Sequence, residues 1–171
     1  MFTFGRAHEK EVAARYVRDP AQVSTLDHLI DGIHDLLEGT GTLEDVTQAL
    51  DQAFVSGGSG VWEQAGSWLV KLTSEFPEAA GRWAFYGRHR LANVRTRVAA
   101  HLTDVPPDMM LPLAQALLSD RSGRVRGMAA GALSGVSTPK VRLLLQEALA
   151  GEREPSVRAS LEDALAEHEG G

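Results

Sequence analysis

The stretch SDRSGRVRGMAAGAL at residues 119–133 carries the pattern that decides the fold. Its last nine residues place Val125, Ala129 and Leu133 four residues apart, which puts all three on one face of a helix. The same nine-residue pattern, with valine first and leucine last, occurs at three more places. These copies are VWEQAGSWL at 61–69, VRTRVAAHL at 94–102 and VRASLEDAL at 157–165. Successive copies start 31 to 33 residues apart, and a near-constant period of this length indicates stacked helical repeats.

A further helix is predicted before each of the last two copies. Asp108 is the predicted cap of a helix over residues 109–120, after two consecutive prolines. Thr138 is the predicted cap of the next one, where Pro139 suits the first turn and Gly151 suits the end. The repeating unit is therefore helix, tight turn, helix, tight turn, over about 32 residues.

The pattern of an acidic residue, a short turn and V-R-x-x-A-A-x-x-L resembles a HEAT repeat of the short bacterial kind, over roughly residues 76–167. This resemblance implies an all-α fold, a right-handed α-solenoid of about five antiparallel helix pairs, with the second helix of each pair on the concave side. It also implies that Arg95, Arg126 and Arg158 form a stacked inner ladder. In such a ladder an arginine meets an acidic residue of the adjacent turn, and Asp120 is the candidate.

The first part of the chain is also predicted to be helical. An opening helix covers about residues 6–18, and Ser24 is the predicted cap of a second helix that ends near Gly39. Thr42 and Asp45 form the start of a capping box for a helix that continues to about residue 54.

The predicted organisation is a single domain. Residues 1–41 are expected to form a helical pair that caps an array of HEAT-like repeats over residues 42–171. The SGGSG segment at 56–60 is interpreted as a flexible connector, because it lacks the lysine of a phosphate-binding loop. No segment alternates apolar and polar residues with the period of a strand, so no sheet is expected.

The composition is that of an ordinary globular chain, with 43% apolar and 23% charged residues among 171. The absence of cysteine excludes a disulfide framework, a thiolate metal site and a cysteine nucleophile. We expect a cytoplasmic protein with neither a secretory signal nor a membrane span.

The formal charge of −6 is unevenly distributed along the chain. Residues 1–81 carry a net charge of −8, whereas residues 82–101 carry five arginines and no acidic residue. Such an asymmetry steers a charged partner toward one face. The predicted partner-binding residues come from this basic segment and from the repeat that follows it: Arg88, Arg90, Arg95, Arg97, His101 and Arg124.

Aromatic residues accompany the arginines of the basic segment, namely Trp83, Phe85 and Tyr86. Arginines with aromatics are typical of nucleic-acid-binding surfaces. The HEAT-like alkylpurine DNA glycosylases show that this architecture can hold DNA and excise a base, but no cluster here matches their catalytic site. The interpretation that we favour for the three aromatics is core packing between neighbouring repeats.

No catalytic or metal-binding motif occurs in the sequence. A row of polar residues on the predicted second helix would bind a divalent cation only if another helix supplied ligands, and it is interpreted as a solvated face. The row is Asp27, Asp31, His34, Asp35 and Glu38. No catalytic residue, metal or cofactor is predicted.

The sequence therefore favours a non-catalytic protein–protein interaction module, either an adaptor or a toxin-neutralising immunity protein, with no membrane partner. The alternative is a nucleic-acid-binding protein of the HEAT-like DNA glycosylase type that uses residues 82–101. The small residues Gly127, Ala130 and Gly131 either leave room for a partner or permit tight helix packing, and we favour the packing interpretation.

Overall fold

The structure, a computed structural model, describes residues 5–17 and 19–168. Within these ranges the chain forms ten α-helices and no strand, which confirms the all-α prediction. None of the described helices is long and apolar enough to cross a bilayer. The chain divides into two compact units, Met1–Ala80 and Gly81–Gly171. The arrangement of residues 1–41 as a cap on one array over residues 42–171 stays a prediction.

The first unit is built around its second helix. Its elements are α1 (Arg6–Tyr16), α2 (Pro20–Leu37), α3 (Leu43–Asp51), a π-helical turn (Gln52–Ser56), α4 (Val61–Glu75) and a 3-10 turn (Pro77–Ala80). Helix α2 packs against α1, α3 and α4. Its residues Leu26, Leu29, Ile30 and Ile33 are fully buried, as their helical spacing predicts.

The start of α2 differs from the prediction. Ser24, the predicted cap, lies inside the helix, where its Oγ donates a hydrogen bond to the carbonyl oxygen of Ala21 at 3.2 Å. The helix begins at Pro20, and the carboxylate of Asp19 accepts a hydrogen bond from the backbone N–H of Ala21 at 3.0 Å. Proline already has a helical φ and needs no hydrogen-bond acceptor at the first helical position, so Asp19–Pro20 is the stronger start signal. The predicted end of the opening helix at residue 18 lies outside the described residues.

The capping box at the start of α3 is confirmed. Thr42 Oγ1 accepts a hydrogen bond from Asp45 N, Asp45 Oδ2 accepts one from Thr42 N, and both distances are 3.2 Å. The α-helix ends at Asp51 rather than near residue 54, because the chain continues as the π-helical turn. Ala53 and Phe54 stay fully buried through this turn, so the predicted apolar face continues although the helix type changes.

Ion pairs join α1 to α2. Arg6 Nη2 lies 2.7 Å from Asp35 Oδ1 and 3.3 Å from Glu38 Oε2, and Lys10 Nζ lies 2.7 Å from Asp31 Oδ1. The acidic row of α2, which the sequence suggests is a solvated face, therefore holds the basic side of α1. Because these groups are partly exposed, each pair contributes little by itself and the row acts as a network.

The second unit is a stack of three helix pairs. The pairs are α5 (Gly81–Gly87) with α6 (Ala92–Ala100), α7 (Pro107–Leu118) with α8 (Gly123–Leu133), and α9 (Pro139–Gly151) with α10 (Pro155–Glu167). Helices α6, α8 and α10 pack successively on one another in one layer, and α5, α7 and α9 form the other layer. This succession of helix pairs is the predicted α-solenoid arrangement.

The repeated apolar positions form the core between these two layers. Each fully buried valine or leucine side chain contributes about 1.5–3 kcal/mol of transfer free energy. The buried members of the repeat are Val94, Val98, Leu102, Val125, Ala129, Leu133, Val157 and Leu161.

One of the two predicted caps in this unit is confirmed. Thr138 Oγ1 accepts a hydrogen bond from Val141 N at 3.3 Å at the start of α9. Asp108 is not the cap of α7, because the helix already begins at Pro107 and Asp108 lies in its first turn. The Asp108 carboxylate still lies near the positive end of the helix dipole, where a negative charge is favourable.

Candidate functional site

A buried arginine joins the first helix pair of the second unit to the next pair. Arg95 Nε lies 2.6 Å from Asp120 Oδ2, and Arg95 Nη2 lies 2.8 Å from Asp120 Oδ1. Arg95 Nη1 also donates a hydrogen bond to the carbonyl oxygen of His89 at 2.7 Å. The guanidinium is thus held on both edges, and the predicted pairing of Arg95 with Asp120 is present.

The same geometry recurs one repeat later. Arg126 Nε lies 2.6 Å from Glu152 Oε2, and Nη2 lies 2.9 Å from Oε1 of the same carboxylate. Arg126 Nη1 donates to the carbonyl oxygen of Asp120 at 2.8 Å, which again lies six residues before the arginine. We call the contacts of Arg95 and Arg126 with these carboxylates the arginine ladder. Bidentate pairs of this kind are stronger and more specific in geometry than single charged hydrogen bonds.

The arginine ladder shifts the titration of its own carboxylates. Burial alone would raise the pKa of Asp120, but hydrogen bonds from Arg95 and from the backbone N–H of Ser122 outweigh it and hold this pKa below its ordinary value. For Glu152, the hydrogen bond from Arg126 is the main cause that lowers the pKa to about 2. Both carboxylates are therefore ionised at neutral pH.

The depressed pKa of Glu152 predicts a loss of stability in acid. The contribution of Glu152 to the free energy of unfolding is fully present above its ordinary pKa of 4.5, and it is lost as the pH falls through about 2. We expect this carboxyl alone to account for a loss of about 3 kcal/mol in the free energy of unfolding. Urea unfolding of the native chain and of Glu152→Gln, measured between about pH 5 and pH 2, checks this. If the free energy of unfolding fell equally with pH in both proteins, this expectation would be wrong, because the variant lacks the titrating group.

Arg158, the third arginine of the series, forms an ion pair with a carboxylate of its own helix. Its Nη1 donates to the carbonyl oxygen of Glu152 at 3.1 Å, as in the two earlier copies, and its Nη2 lies 3.3 Å from Glu162 Oε1. The positions equivalent to Glu162 in the earlier copies are Ala99 and Ala130, which are fully buried against the next pair. Glu162 therefore supplies the carboxylate that a following pair would provide, and it gives α10 the polar outer face typical of a terminal repeat.

Three of the six predicted partner-binding residues are exposed. They are Arg88 and Arg90 in the turn between α5 and α6, and Arg124 at the start of α8. Arg97 is half-buried on α6. The three exposed arginines are the members of the predicted set that a partner reaches most directly.

The other two predicted residues are buried. Only 6% of the Arg95 side chain is exposed, and its nitrogens are committed to the arginine ladder. The ring of His101 lies 3.3 Å from the carboxylate of Asp104 through Nδ1 and packs 5.8 Å from the ring of Trp83. Both side chains therefore belong to the interior of the second unit.

The aromatics of the basic segment are divided between core and surface. Trp83 and Tyr86 are fully buried, which confirms the core interpretation for these two. Phe85 is 50% exposed, and the guanidinium of Arg82 lies 4.7 Å from the centre of its ring. The basic segment thus presents one aromatic ring to solvent, with a cation stacked on it.

Most of the second unit matches a family model. A family model described as HEAT repeats matches residues 87–166. We refer to residues 87–166, which this model matches, as the HEAT repeats. Comparison of the chain with curated proteins and with solved structures gives no match. HEAT repeats generally mediate protein–protein interaction, so the surfaces of this unit are the candidate binding sites.

The second unit exposes apolar side chains in the layer of α5, α7 and α9. Phe85 is 50% exposed and Leu143 is 55% exposed. Two clefts in this layer share Pro112. The cleft between α5 and α7 is lined by Ala84, Gly87, Arg88, Asp108, Met109, Pro112, Leu113 and Ala116, and the one between α7 and α9 by Leu111, Pro112, Gln115, Lys140, Leu143 and Leu144. Exposed apolar surface of this kind is typical of protein-binding sites.

Two exposed arginines in the turns between paired helices are absent from the predicted set. Arg121 and Arg153 lie in the turns between α7 and α8 and between α9 and α10. They stand four residues before the valine of the repeat, as Arg90 does in the first copy. Alignment of the three copies on their V-R pair is the signal that would have identified them.

Gly127 and Gly131 of α8 do not serve tight packing. A Cβ added at Gly131 would meet no atom within 4 Å, and one added at Gly127 would come no closer than 3.8 Å to Ser160 Oγ. The favoured packing interpretation is therefore wrong for Gly131, which borders open space. Ala130 is fully buried and does pack in the core.

The polar side chains of the first unit do not assemble into a metal centre. Among the described residues, no three His, Asp or Glu side chains lie together in a way that could hold a metal ion. His34 Nε2 lies 2.6 Å from Glu9 Oε2, and both side chains are buried between α1 and α2. This pair, like the ion pairs around it, joins the two helices.

Proposed function

We propose that the protein is a non-catalytic interaction module whose HEAT repeats hold a protein partner. The observation that carries this proposal is the exposed apolar surface on α5, α7 and α9. Leu143 is half-exposed in the cleft between α7 and α9, and Phe85 is half-exposed in a further cleft that Arg88 and Arg90 also line. Burial of such side chains at an interface is favourable by roughly 25 cal/mol for each Å² removed from water.

The charge distribution supports an adaptor role over an immunity role. Residues 1–81 carry a net charge of −8 and residues 82–171 a net charge of +2, which together give the formal −6. Two units of opposite net charge suit two partners of different charge, because complementary potentials steer association and reject like-charged partners. An immunity role remains the second version of this proposal, in which the acidic unit would bind a basic toxin.

The nucleic-acid alternative has weaker support. Trp83 and Tyr86 lie in the core, where they cannot stack on bases, and Arg95 is committed to Asp120. Phe85 is the one aromatic of the segment with a half-exposed ring, and Arg82 already lies over it. We therefore place nucleic-acid binding among the outcomes of the test below.

The test is affinity capture from a lysate of the native host, with and without nuclease. After nuclease treatment, we expect the native chain to retain a protein partner. The double variant Phe85→Ser/Leu143→Ser should not retain this partner. Half-exposed apolar residues are replaced here, so the fold should survive while the apolar contact with the partner is removed.

The matched control is Tyr16→Ser/Leu37→Ser, which replaces two apolar side chains of similar exposure in the first unit. It should capture the partner as the native chain does. The proposal fails if both variants capture equally, or if every captured protein disappears on nuclease treatment.

A further inference from the structure

Each turn between the two helices of a pair in the second unit presents an exposed arginine at the same repeat position. These are Arg90, Arg121 and Arg153, and each lies four residues before the valine that begins the repeated pattern of its copy. We call this row of three side chains the turn ridge. Because the three positions are equivalent in successive pairs, the stacking of the pairs places the three arginines in one line along the same edge of the unit.

The guanidinium groups of the turn ridge take little part in holding the fold together. Within the described ranges, no carboxylate lies within ion-pair distance of the guanidinium of Arg90, Arg121 or Arg153. Arg121 Nη2 donates one hydrogen bond, at 3.3 Å, to the carbonyl oxygen of Arg90, which keeps the first two arginines next to each other. A guanidinium without a carboxylate has donors available for an external anion.

The carboxylates closest in sequence to the turn ridge are already neutralised. Asp120 and Glu152 precede Arg121 and Arg153 directly, but both are bound by the arginine ladder. Glu154 is half-exposed and lies 3.5 Å from Arg126 Nη2. Arg95 and Arg126 therefore offset the charges of Asp120 and Glu152, and the guanidinium groups of the turn ridge stay exposed. Arg88 precedes Arg90 and Arg124 follows Arg121 in the sequence. Both add exposed positive charge.

The spacing of the turn ridge suits an extended polypeptide. Packed helices lie about 8–10 Å apart, so successive arginines of the ridge recur at roughly that interval. A chain in the polyproline II conformation advances by about 3.1 Å per residue with three residues per turn, so every third side chain lies on the same side, about 9 Å apart. A carboxylate at every third residue of such a segment therefore meets each arginine in turn, and bidentate arginine–carboxylate pairs provide the recognition.

We infer that the turn ridge, Arg90, Arg121 and Arg153, binds an acidic segment of a protein partner. This inference rests on the proposed protein-binding function and adds the chemistry of the partner. A protein is favoured over a nucleic acid by the neighbouring surface, because the exposed side chain next to Arg90 is the apolar Leu91, and the aromatics Trp83 and Tyr86 are buried. Arginine beside an apolar residue is typical of protein interfaces, whereas base stacking needs exposed aromatic rings.

The test uses two defined probes, a fluorescent peptide with glutamate at every third position and a fluorescent single strand of oligothymidine. Binding to the full chain is measured by anisotropy at about 50 mM salt, where charged contacts are little screened. The ridge variant is Arg90→Gln/Arg121→Gln/Arg153→Gln. The control variant is Arg15→Gln/Lys140→Gln/Arg142→Gln, which removes the same number of positive charges elsewhere.

We expect the ridge variant to weaken binding of the acidic peptide by about tenfold, the product of three exposed charged contacts, and the control variant to change it by less than about twofold. Three results would overturn the inference: no binding of the peptide by the native chain, equal loss in the two variants, or tighter and ridge-dependent binding of oligothymidine. The peptide assay does not involve the apolar clefts, so it separates failure of this inference from failure of the proposed function. If the host partner is captured by the native chain and equally by the ridge variant, the turn ridge is not its binding site although the module binds proteins.

Discussion

Replacing Asp120 by alanine is expected to lower the free energy of unfolding by about 3–5 kcal/mol. The substitution leaves the guanidinium of Arg95, whose side chain is 6% exposed, without the carboxylate that binds it at 2.6 and 2.8 Å. A buried charge without its partner keeps the cost of desolvation and loses the compensating attraction. The backbone N–H of Ser122 loses its acceptor as well, which loosens the start of α8. Urea unfolding followed by circular dichroism at pH 7 measures the loss.

The third pair of the series provides the control for this prediction. Arg158 and Glu162 are also an arginine and a carboxylate, at 3.3 Å, but about half of each side chain is exposed. Glu162→Ala should therefore change the free energy of unfolding by less than about 1 kcal/mol. If both substitutions have similar effects, burial is not what makes the arginine ladder important for stability.

Gly60→Ala is expected to destabilise the first unit by a comparable amount, about 3–5 kcal/mol. Gly60 has a φ of +87°, which costs an L-residue roughly 1–2 kcal/mol. An added Cβ would also overlap the carbonyl oxygen of Tyr16, and the backbone cannot yield as a side chain can. The free energy of unfolding and the midpoint temperature of the variant both report this loss.

Gly39→Ala separates the cost of the backbone conformation from the cost of the steric overlap. Gly39 also has a positive φ, +75°, but a Cβ added there meets no atom within 4 Å. This variant should lose only about 1–2 kcal/mol, the cost of the backbone conformation alone. Equal losses at the two positions would show that the contact between Gly60 and Tyr16 is unimportant.

The segment around Gly60 illustrates how composition misleads. A run of glycine and serine at 56–60 predicts a flexible connector. In the structure Gly57 is buried, the N–H of Gly58 donates to Gln22 Oε1 at 2.6 Å, and the N–H of Gly60 donates to the carboxylate of Glu63. Gly58 and Gly60 pass close to Gln22 and Tyr16, which come from distant parts of the sequence.

The sequence predicts the HEAT repeats well because their signal is local. The valine and leucine of each copy are spaced to face the same side of one helix, and in the second unit nearly all of them are buried. The pairing of Arg95 with Asp120 follows from the family resemblance. Helix starts are less predictable, because Ser24 and Asp19 are both good caps and the following Pro20 decides between them.

The candidate site is harder to predict, because exposure is a property of the tertiary structure. Arg90 and Arg95 both belong to one basic run, yet the first faces solvent and the second is buried on Asp120. Nothing in the composition of that run distinguishes them. Their positions in the repeat do, since Arg121 repeats the place of Arg90, and Arg126 repeats the place of Arg95.

The arginine ladder also has a kinetic consequence. Its bonds join residues 25 or 26 positions apart, which is less than the length of one repeat, so every rung closes a short loop. A unit held by contacts of such short sequence separation has a low contact order, and low contact order is associated with fast folding. Within a helix pair, the arginine donates to a backbone carbonyl oxygen of its own turn. This contact does not need the carboxylate, which belongs to the next pair. Order should therefore spread from each pair to its neighbour, without any step that must bring the two ends of the unit together.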